Sequence, residues 1–502
     1  ISKKDFVKAK EYYHRALVIK PDNAEAHYNL GLIMREWNRI DEAVICYKNS
    51  LRFDSEQTLA MINLGECFQA RGEIEESEDL FRKVIKIDPV NKIAWDNYLL
   101  SMNYNPSYSP VQIYDAHVQW GQLFKPVETV CSNSKDTAKR LRIGYVSPDF
   151  RHHPSAAFLE PILKNHNHTD FTIYCYSQTL QQDNFTEKFK TYCDYWRDIR
   201  DVSDIECAEM VKTDQIDILV DCAGHMDGNR LGVFALKPAP VQITGIGYPN
   251  TSGLKSIDYR ITDTVTDPPG ETPVNTEHLL YLQNGFCCYN PPVQAPEISN
   301  LPARKNGFIT FGSLHTPARL NKNVIELWAE VLKCVKDSRL LIFRNTLSTE
   351  IINRLRRFFE CLGVENNRVE YCSTISAGGY LNIYSRIDIL LDTFPWSGHT
   401  TACEALWMGV PVITLRGNRY AGRMVSSVLS RICRTDYIAE DKNSYRAIAL
   451  QKSSDISALE SDRYTLRNAM QNSLLCDGEK YTMELESRYR EVWSRWCSES
   501  AQ

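Results

Sequence analysis

The chain has 502 residues, with 58 Lys or Arg against 63 Asp or Glu, a formal charge of −5 at pH 7. Apolar residues make up 43% and charged residues 24%, which excludes a largely disordered chain and a basic nucleic-acid binder, and the length predicts about three domains. No run of about 18 apolar residues could span a membrane. The 16 cysteines are scattered and form no C-x-x-C pair. They fit reduced thiols in a cytoplasmic chain, or a nuclear one in a eukaryote, better than a disulfide framework or zinc site. The chain opens at Ile1 with no charged-then-apolar leader, which reads as a trimmed fragment.

The first hundred residues repeat with a period of 34. Ala9, Ala43 and Ser77 align, as do Tyr13, Tyr47 and Phe81; Leu17, Leu51 and Ile85; Ala26, Ala60 and Ala94; and Leu30-Gly31 with Leu64-Gly65. Small residues let paired helices approach, and the aromatic and aliphatic columns fill the space between them. This is the tetratricopeptide pattern, and it starts inside the second helix of a repeat near Asp5. Such an array binds a peptide or protein on its concave face, or simply caps the next domain.

Residues 93–124 read as helical, and 132–137 as a linker. Strands are predicted at Leu141–Ser147, Phe171–Tyr176, Ile216–Asp221 and Val241–Thr244, with a helix at Ile205–Lys212. A Pro-rich segment, 267–303, comes next. The alternation then restarts, with strands at Phe308–Phe311, Arg339–Phe343, Val369–Tyr371, Ile387–Asp392 and Val412–Leu415. Helices fall at Val324–Val335 and Ile351–Leu362. Alternation of this kind predicts two α/β halves with parallel sheets and a ligand at their C-terminal strand ends. The last segment, Arg463–Cys497, reads as a helix crossing back onto the first half. The predicted domains are residues 1–105 (repeats), 106–138 (helical linker), 139–268 (first half), 269–305 (intervening), 306–470 (second half) and 471–502 (C-terminal helix).

The sharpest loop is Asp392-Thr393-Phe394-Pro395-Trp396-Ser397-Gly398-His399-Thr400-Thr401, running into Ala402-Cys403-Glu404. A strand ends, a turn comes after it, and a helix begins near His399. Backbone N–H groups and two hydroxyls at a helix start suit a diphosphate. Glu404, one turn on, suits a ribose, whose two hydroxyls one carboxylate can accept. The ordinary alternative is a capped helix with a surface carboxylate.

That loop, with its continuation Met408-Gly409-Val410-Pro411-Val412-Ile413-Thr414, resembles the protein O-GlcNAc transferase/SPINDLY family, glycosyltransferase family 41. So do Gly247-Tyr248-Pro249-Asn250-Thr251-Ser252-Gly253, Asp258-Tyr259-Arg260-Ile261-Thr262-Asp263, Pro238-Ala239-Pro240-Val241-Gln242 and the repeats. The resemblance implies a GT-B architecture, two Rossmann-like halves behind an all-α repeat array. It implies inverting sugar transfer from a nucleotide diphosphate to Ser/Thr of proteins, with no metal. Carried over by motif, His153 of Ser147-Pro148-Asp149-Phe150-Arg151-His152-His153-Pro154 is a general base or shapes the sugar pocket. Arg319 stands where the family places a Lys on the leaving diphosphate, with Arg344 as a nearby substitute. Gly247 and Tyr248 open the loop toward the sugar, and His225 points to the same cleft. Gly398, His399, Thr400, Thr401 and Glu404 hold diphosphate and ribose. The base-reading segment has Ala377 and Tyr380 where the O-GlcNAc enzymes have Lys and His, and Trp396 where they have a small residue. UDP-GlcNAc is the expected donor. GDP-fucose, as in SPINDLY-like proteins, is the alternative, and a catalytically weak repeat scaffold the second. The expected partner is a protein or peptide acceptor guided by the repeats, with neither nucleic acid nor membrane.

Overall fold

A computed structural model describes residues 3–125, 131–272, 274–375 and 379–499. Among the described residues, thirteen strands occur in chain order: β1 Leu141–Ser147, β2 Phe171–Ser177, β3 Tyr195–Asp198, β4 Ile218–Asp221, β5 Val241–Thr244, β6 Tyr259–Thr262, β7 His278–Tyr281, β8 Thr310–Ser313, β9 Arg339–Phe343, β10 Val369–Cys372, β11 Ile389–Leu391, β12 Val412–Leu415 and β13 Ile438–Ala439. Two compact units result, and neither is continuous in sequence. One joins residues 1–108 to 306–383, the other 109–305 to 384–502.

The first unit holds the repeats. Helices Ala24–Glu36, Ile40–Phe53, Thr58–Arg71, Ile74–Ile87 and Lys92–Tyr104 come after Lys3–Ile19, and neighbours in sequence pack as pairs. The columns have a direct explanation. A Cβ at Gly31 would enter the Tyr47 ring, and one at Gly65 the Phe81 ring. Glycine on one helix makes the socket for the aromatic on its partner. The unit also carries three parallel strands in the order β10-β9-β8, with helices Lys322–Cys334 and Thr349–Cys361.

The second unit carries a seven-stranded parallel sheet, β3-β2-β1-β4-β5-β6-β7, and the strands β11-β12-β13. Three strands of the large sheet escape the periodicity. The edge strand β3 reads Tyr-Trp-Arg-Asp and is half exposed, so it lacks an apolar run. The strand β6 is only four residues long, and β7 lies inside the segment read as intervening. The two-residue β13 is equally silent.

The C-terminal segment is two helices, Ile456–Gln471 and Gly478–Glu499, split by a turn at Leu474–Cys476. The second does cross back: Tyr481, Leu485, Tyr489 and Trp493 sit in one core cluster with Ile143, Ile173, Ile218 and Ile243. Its polar anchors are Tyr489 Oη at 3.0 Å from Tyr145 Oη and Glu486 at 2.8 Å from His166 Nδ1. Burial lowers the His166 imidazole from its ordinary value of 6.5, against the pull of Glu486. A histidine that resists protonation when folded stabilises above its unfolded value and loses that stabilisation as pH falls below it. The melting temperature should therefore fall as pH drops below 6.5, and His166→Gln should flatten that slope. An unchanged slope in the variant would refute the assignment. Among the described residues, no helix is long and apolar enough to cross a membrane.

Candidate active site

Every site residue picked from sequence lies beyond the C-terminal end of a parallel strand, where open α/β sheets bind ligands. In the second unit His153 follows β1, His225 follows β4, and Gly247 and Tyr248 follow β5. Trp396 and residues 398–404 follow β11. In the first unit Arg319 follows β8, Arg344 follows β9, and Tyr380 follows β10. Ala377 lies outside the described residues.

His153 sits in the turn leading into helix Ala156–Lys164. Its Nδ1 is 3.2 Å from Asp149 Oδ2, 3.1 Å from Ser155 Oγ and 3.3 Å from the Ser155 amide. The Ser155 amide donates to Nδ1, while the Asp149 carboxylate at ion-pair distance favours a proton on the same nitrogen, so the two pull the tautomer in opposite directions. Nε2 carries the lone pair in the tautomer that the carboxylate favours. Asp149 is buried, and its amide donates to Ser147 Oγ at 3.0 Å. Next door, the His152 amide donates to Asp183 Oδ2 at 2.8 Å. Burial would raise the Asp183 carboxyl, but amides of His152, Thr186 and Phe185 hold it below its ordinary value. The histidine loop is thus pinned at both ends.

The glycosyl-loop candidates are tightly packed. A Cβ at Gly224 would meet the Tyr248 side chain, and one at Gly247 the Cys222 carbonyl. Between them Ile246 is held at φ +79°, a left-handed conformation that β-branched residues rarely adopt. Glu277, buried ahead of β7, fixes the loop from below: Thr251 Oγ1 donates to it at 2.6 Å and the Ser252 amide at 2.8 Å. Tyr248 and His225 are buried in an aromatic group with His117 and Trp120. The Tyr248 hydroxyl donates to His117 Nε2 at 2.9 Å, because His117 Nδ1–H is committed to the Ile113 carbonyl at 2.7 Å. His225 Nε2 donates to the Ser252 carbonyl at 2.8 Å.

At the phosphate-loop candidate, helix Thr400–Trp407 starts behind His399 as its N-cap residue, with no side-chain cap. Its first-turn N–H groups have no acceptor within the helix. The Gly398 amide is committed elsewhere: it donates to Asp392 Oδ1 at 2.7 Å, while Thr414 Oγ1 donates to Oδ2 at 2.6 Å. The His399 ring stacks on Phe158 at 3.8 Å and 15°. Its Nε2 is 3.3 Å from Cys287 Sγ. Burial pushes that thiol well above its ordinary value, against Arg431, so the sulfur keeps its proton. Phe158 is on the helix that His153 leads into, so one short element joins the two candidate loops. Tyr384 Oη lies 3.2 Å from Glu404 Oε2 and from the Thr401 carbonyl. Trp396 is buried, 5% exposed, and its carbonyl accepts from Thr393 Oγ1 at 2.8 Å.

In the first unit Arg319 ends a short turn, Pro317–Arg319, and Arg344 Nη1 donates to the Leu314 carbonyl at 3.3 Å. Burial raises the Tyr104 hydroxyl above its ordinary value, against the Arg319 and Arg344 charges. Tyr380 meets Phe343 at 5.8 Å between ring centres.

Two features went unread in the sequence. One is Asp149, which the bent loop after β1, and no helical spacing, brings to His153. The other is a 34-residue column, Asn29, Asn63 and Asn97. Each amide donates to its own i−4 carbonyl, of Glu25 at 3.0 Å, Leu59 at 2.8 Å and Ile93 at 3.1 Å. Arg35 bonds both Asn63 and Glu66, and Asn97 reaches Glu66 at 3.2 Å. Among the described residues, no group of three or more His, Cys, Asp or Glu is arranged to hold a metal ion.

The model of Glycosyl transferase family 41 matches residues 121–290 and 294–485, and a tetratricopeptide model matches 24–57 and 59–91. The chain is 39% identical over 422 residues to "Probable UDP-N-acetylglucosamine--peptide N-acetylglucosaminyltransferase SPINDLY" of Solanum lycopersicum, covering 82% of this chain and 45% of that protein. It is 27% identical over 373 residues to the Arabidopsis thaliana protein of the same description named SEC, covering 72% and 38%. The chain therefore spans just under half the length of the SPINDLY relatives it matches. Among solved structures, a mutant of the Thermobaculum terrenum O-GlcNAc transferase matches with a TM-score of 0.93 and 32% identity, over 99% of this chain and 95% of that one. By its family-model match and its SPINDLY relatives, the chain belongs to glycosyl transferase family 41.

Proposed function

We propose that the protein is an inverting O-glycosyltransferase that moves N-acetylglucosamine from UDP-GlcNAc to Ser or Thr of protein acceptors. The observation that carries the reading is the pairing, within one unit, of a carboxylate-buttressed histidine after β1 with a helix start after β11, linked through Phe158 and His399. His153 Nε2 takes the acceptor hydroxyl proton as the oxygen attacks the anomeric carbon. The glycosidic bond to the diphosphate breaks on the opposite face, which inverts the centre. The first turn of helix Thr400–Trp407 binds the diphosphate through N–H groups and the Thr400 and Thr401 hydroxyls. Glu404 accepts the ribose hydroxyls, and Arg319 balances charge on the leaving group. Acceptor protein lies along the repeats. The setting is cytoplasmic or nuclear.

A second reading, protein O-fucosylation from GDP-fucose, is favoured by Trp396 and Tyr380, which replace the small residue and the His of O-GlcNAc enzymes. Calorimetric titration with UDP, UDP-GlcNAc, GDP and GDP-fucose separates them. The proposal expects the uridine pair alone to bind and raise stability as RT ln(1 + [L]/Kd). Binding of the guanosine pair alone would replace the donor, and binding of none would leave a repeat scaffold.

A further inference from the structure

The repeat array and the arginine proposed for the leaving group belong to the same compact unit, 1–108 with 306–383. Helix Thr58–Arg71 packs against the Pro317–Arg319 turn. It ends at Gly72, in the left-handed region at φ +77°, and a Cβ there would collide with the Pro317 carbonyl. Glycine is required on both counts, for the backbone angle and for the approach. Arg354 clamps the same corner: its guanidinium bonds the Arg71 carbonyl and lies 3.4 Å from Glu73, which also pairs with Arg71 at 2.7 Å. The turn itself is closed by the Arg319 amide on Thr316 and the Leu320 amide on Pro317, both at 3.0 Å.

We infer that the repeats are part of the catalytic frame: Gly72 and the Arg354 clamp are positioning residues that hold the Pro317–Arg319 turn and so place the Arg319 guanidinium. The inference deepens the proposed function and rests on Arg319 as the leaving-group cation.

The test uses the full chain with Gly72→Ala, Arg354→Gln and Arg319→Ala, singly and combined. Arg354→Gln removes the clamp without straining the backbone and should fold even if Gly72→Ala does not. Two readouts are taken: hydrogen exchange at the Arg319 and Leu320 amides, and the affinities of UDP and uridine. Exchange there should rise in Arg354→Gln and Gly72→Ala. A displacement of about 1 Å can reduce a positioned group's effect by about 100-fold, so UDP should weaken by about tenfold with uridine unchanged. Neither variant should weaken UDP further in the Arg319→Ala background. Unchanged exchange at both amides, equal weakening of uridine, or additivity with Arg319→Ala would overturn the inference. Raised exchange with UDP unaffected, in these variants and in Arg319→Ala alike, would uphold the positioning and reject the leaving-group role. If UDP does not bind the parent chain, GDP and guanosine take the same arms.

Discussion

Replacing His153 with alanine should lower the transfer rate about 100-fold, the usual yield of a positioned base, and leave donor affinity within about twofold. The base is a group acting in the transition state, so kcat falls and binding does not. Asp149→Asn should cost less, about tenfold, because the ring remains but loses the carboxylate charge 3.2 Å from Nδ1. Steady-state kinetics with saturating donor give both values. If His153→Ala instead weakens donor binding tenfold at unchanged kcat, the ring shapes the sugar pocket and another group takes the proton.

Arg319→Ala should lower kcat by about 100- to 1,000-fold, the range for removing one donor aimed at developing charge. The product diphosphate should bind more weakly too, since its charge is then unbalanced. Arg319→Lys is the informative partner. Lysine keeps the charge but loses the planar fork, so it should recover most of the rate if charge is what matters. Leaving-group-activated donors should recover much of the alanine defect. An Arg319→Ala enzyme with normal kcat would move the role to Arg344.

The parallel strands were legible wherever they form buried apolar runs. β1, β2, β5, β9 and β12 fall where alternation with helices places them, within a residue. What escaped was short, edge or polar: β3 is half exposed, and β13 spans two residues, too few to carry a period. The grouping into units was not legible, because residues 306–383 cohere with the repeats through contacts such as Gly72 on Pro317 that no spacing announces.

One regularity was present in plain letters and went unread. Ile216-Asp217-Ile218-Leu219-Val220-Asp221 before Gly224-His225 matches Ile387-Asp388-Ile389-Leu390-Leu391-Asp392 before Gly398-His399. The structure gives both the same device. Asp221 accepts from Thr244 Oγ1 at 2.7 Å and from the Gly224 amide, as Asp392 accepts from Thr414 Oγ1 and the Gly398 amide. A buried carboxylate at a strand end ties the next strand to a glycine turn, so each half aims its loop in the same way. Burial raises the Asp221 carboxyl above its ordinary value even against these donors. The two histidines then diverge. His225 is buried among rings, and His399 caps a helix. Motif likeness found both histidines, but only side-chain packing distinguishes them.

The most direct measurement is a transfer assay. The purified chain is incubated with UDP-GlcNAc or GDP-fucose and a Ser/Thr peptide library, and products are read by mass spectrometry beside the His153→Ala chain. The account predicts one N-acetylhexosamine added to Ser/Thr peptides from UDP-GlcNAc, strongly reduced in His153→Ala. Transfer from GDP-fucose alone would contradict the donor assignment, and transfer from neither would contradict the enzyme.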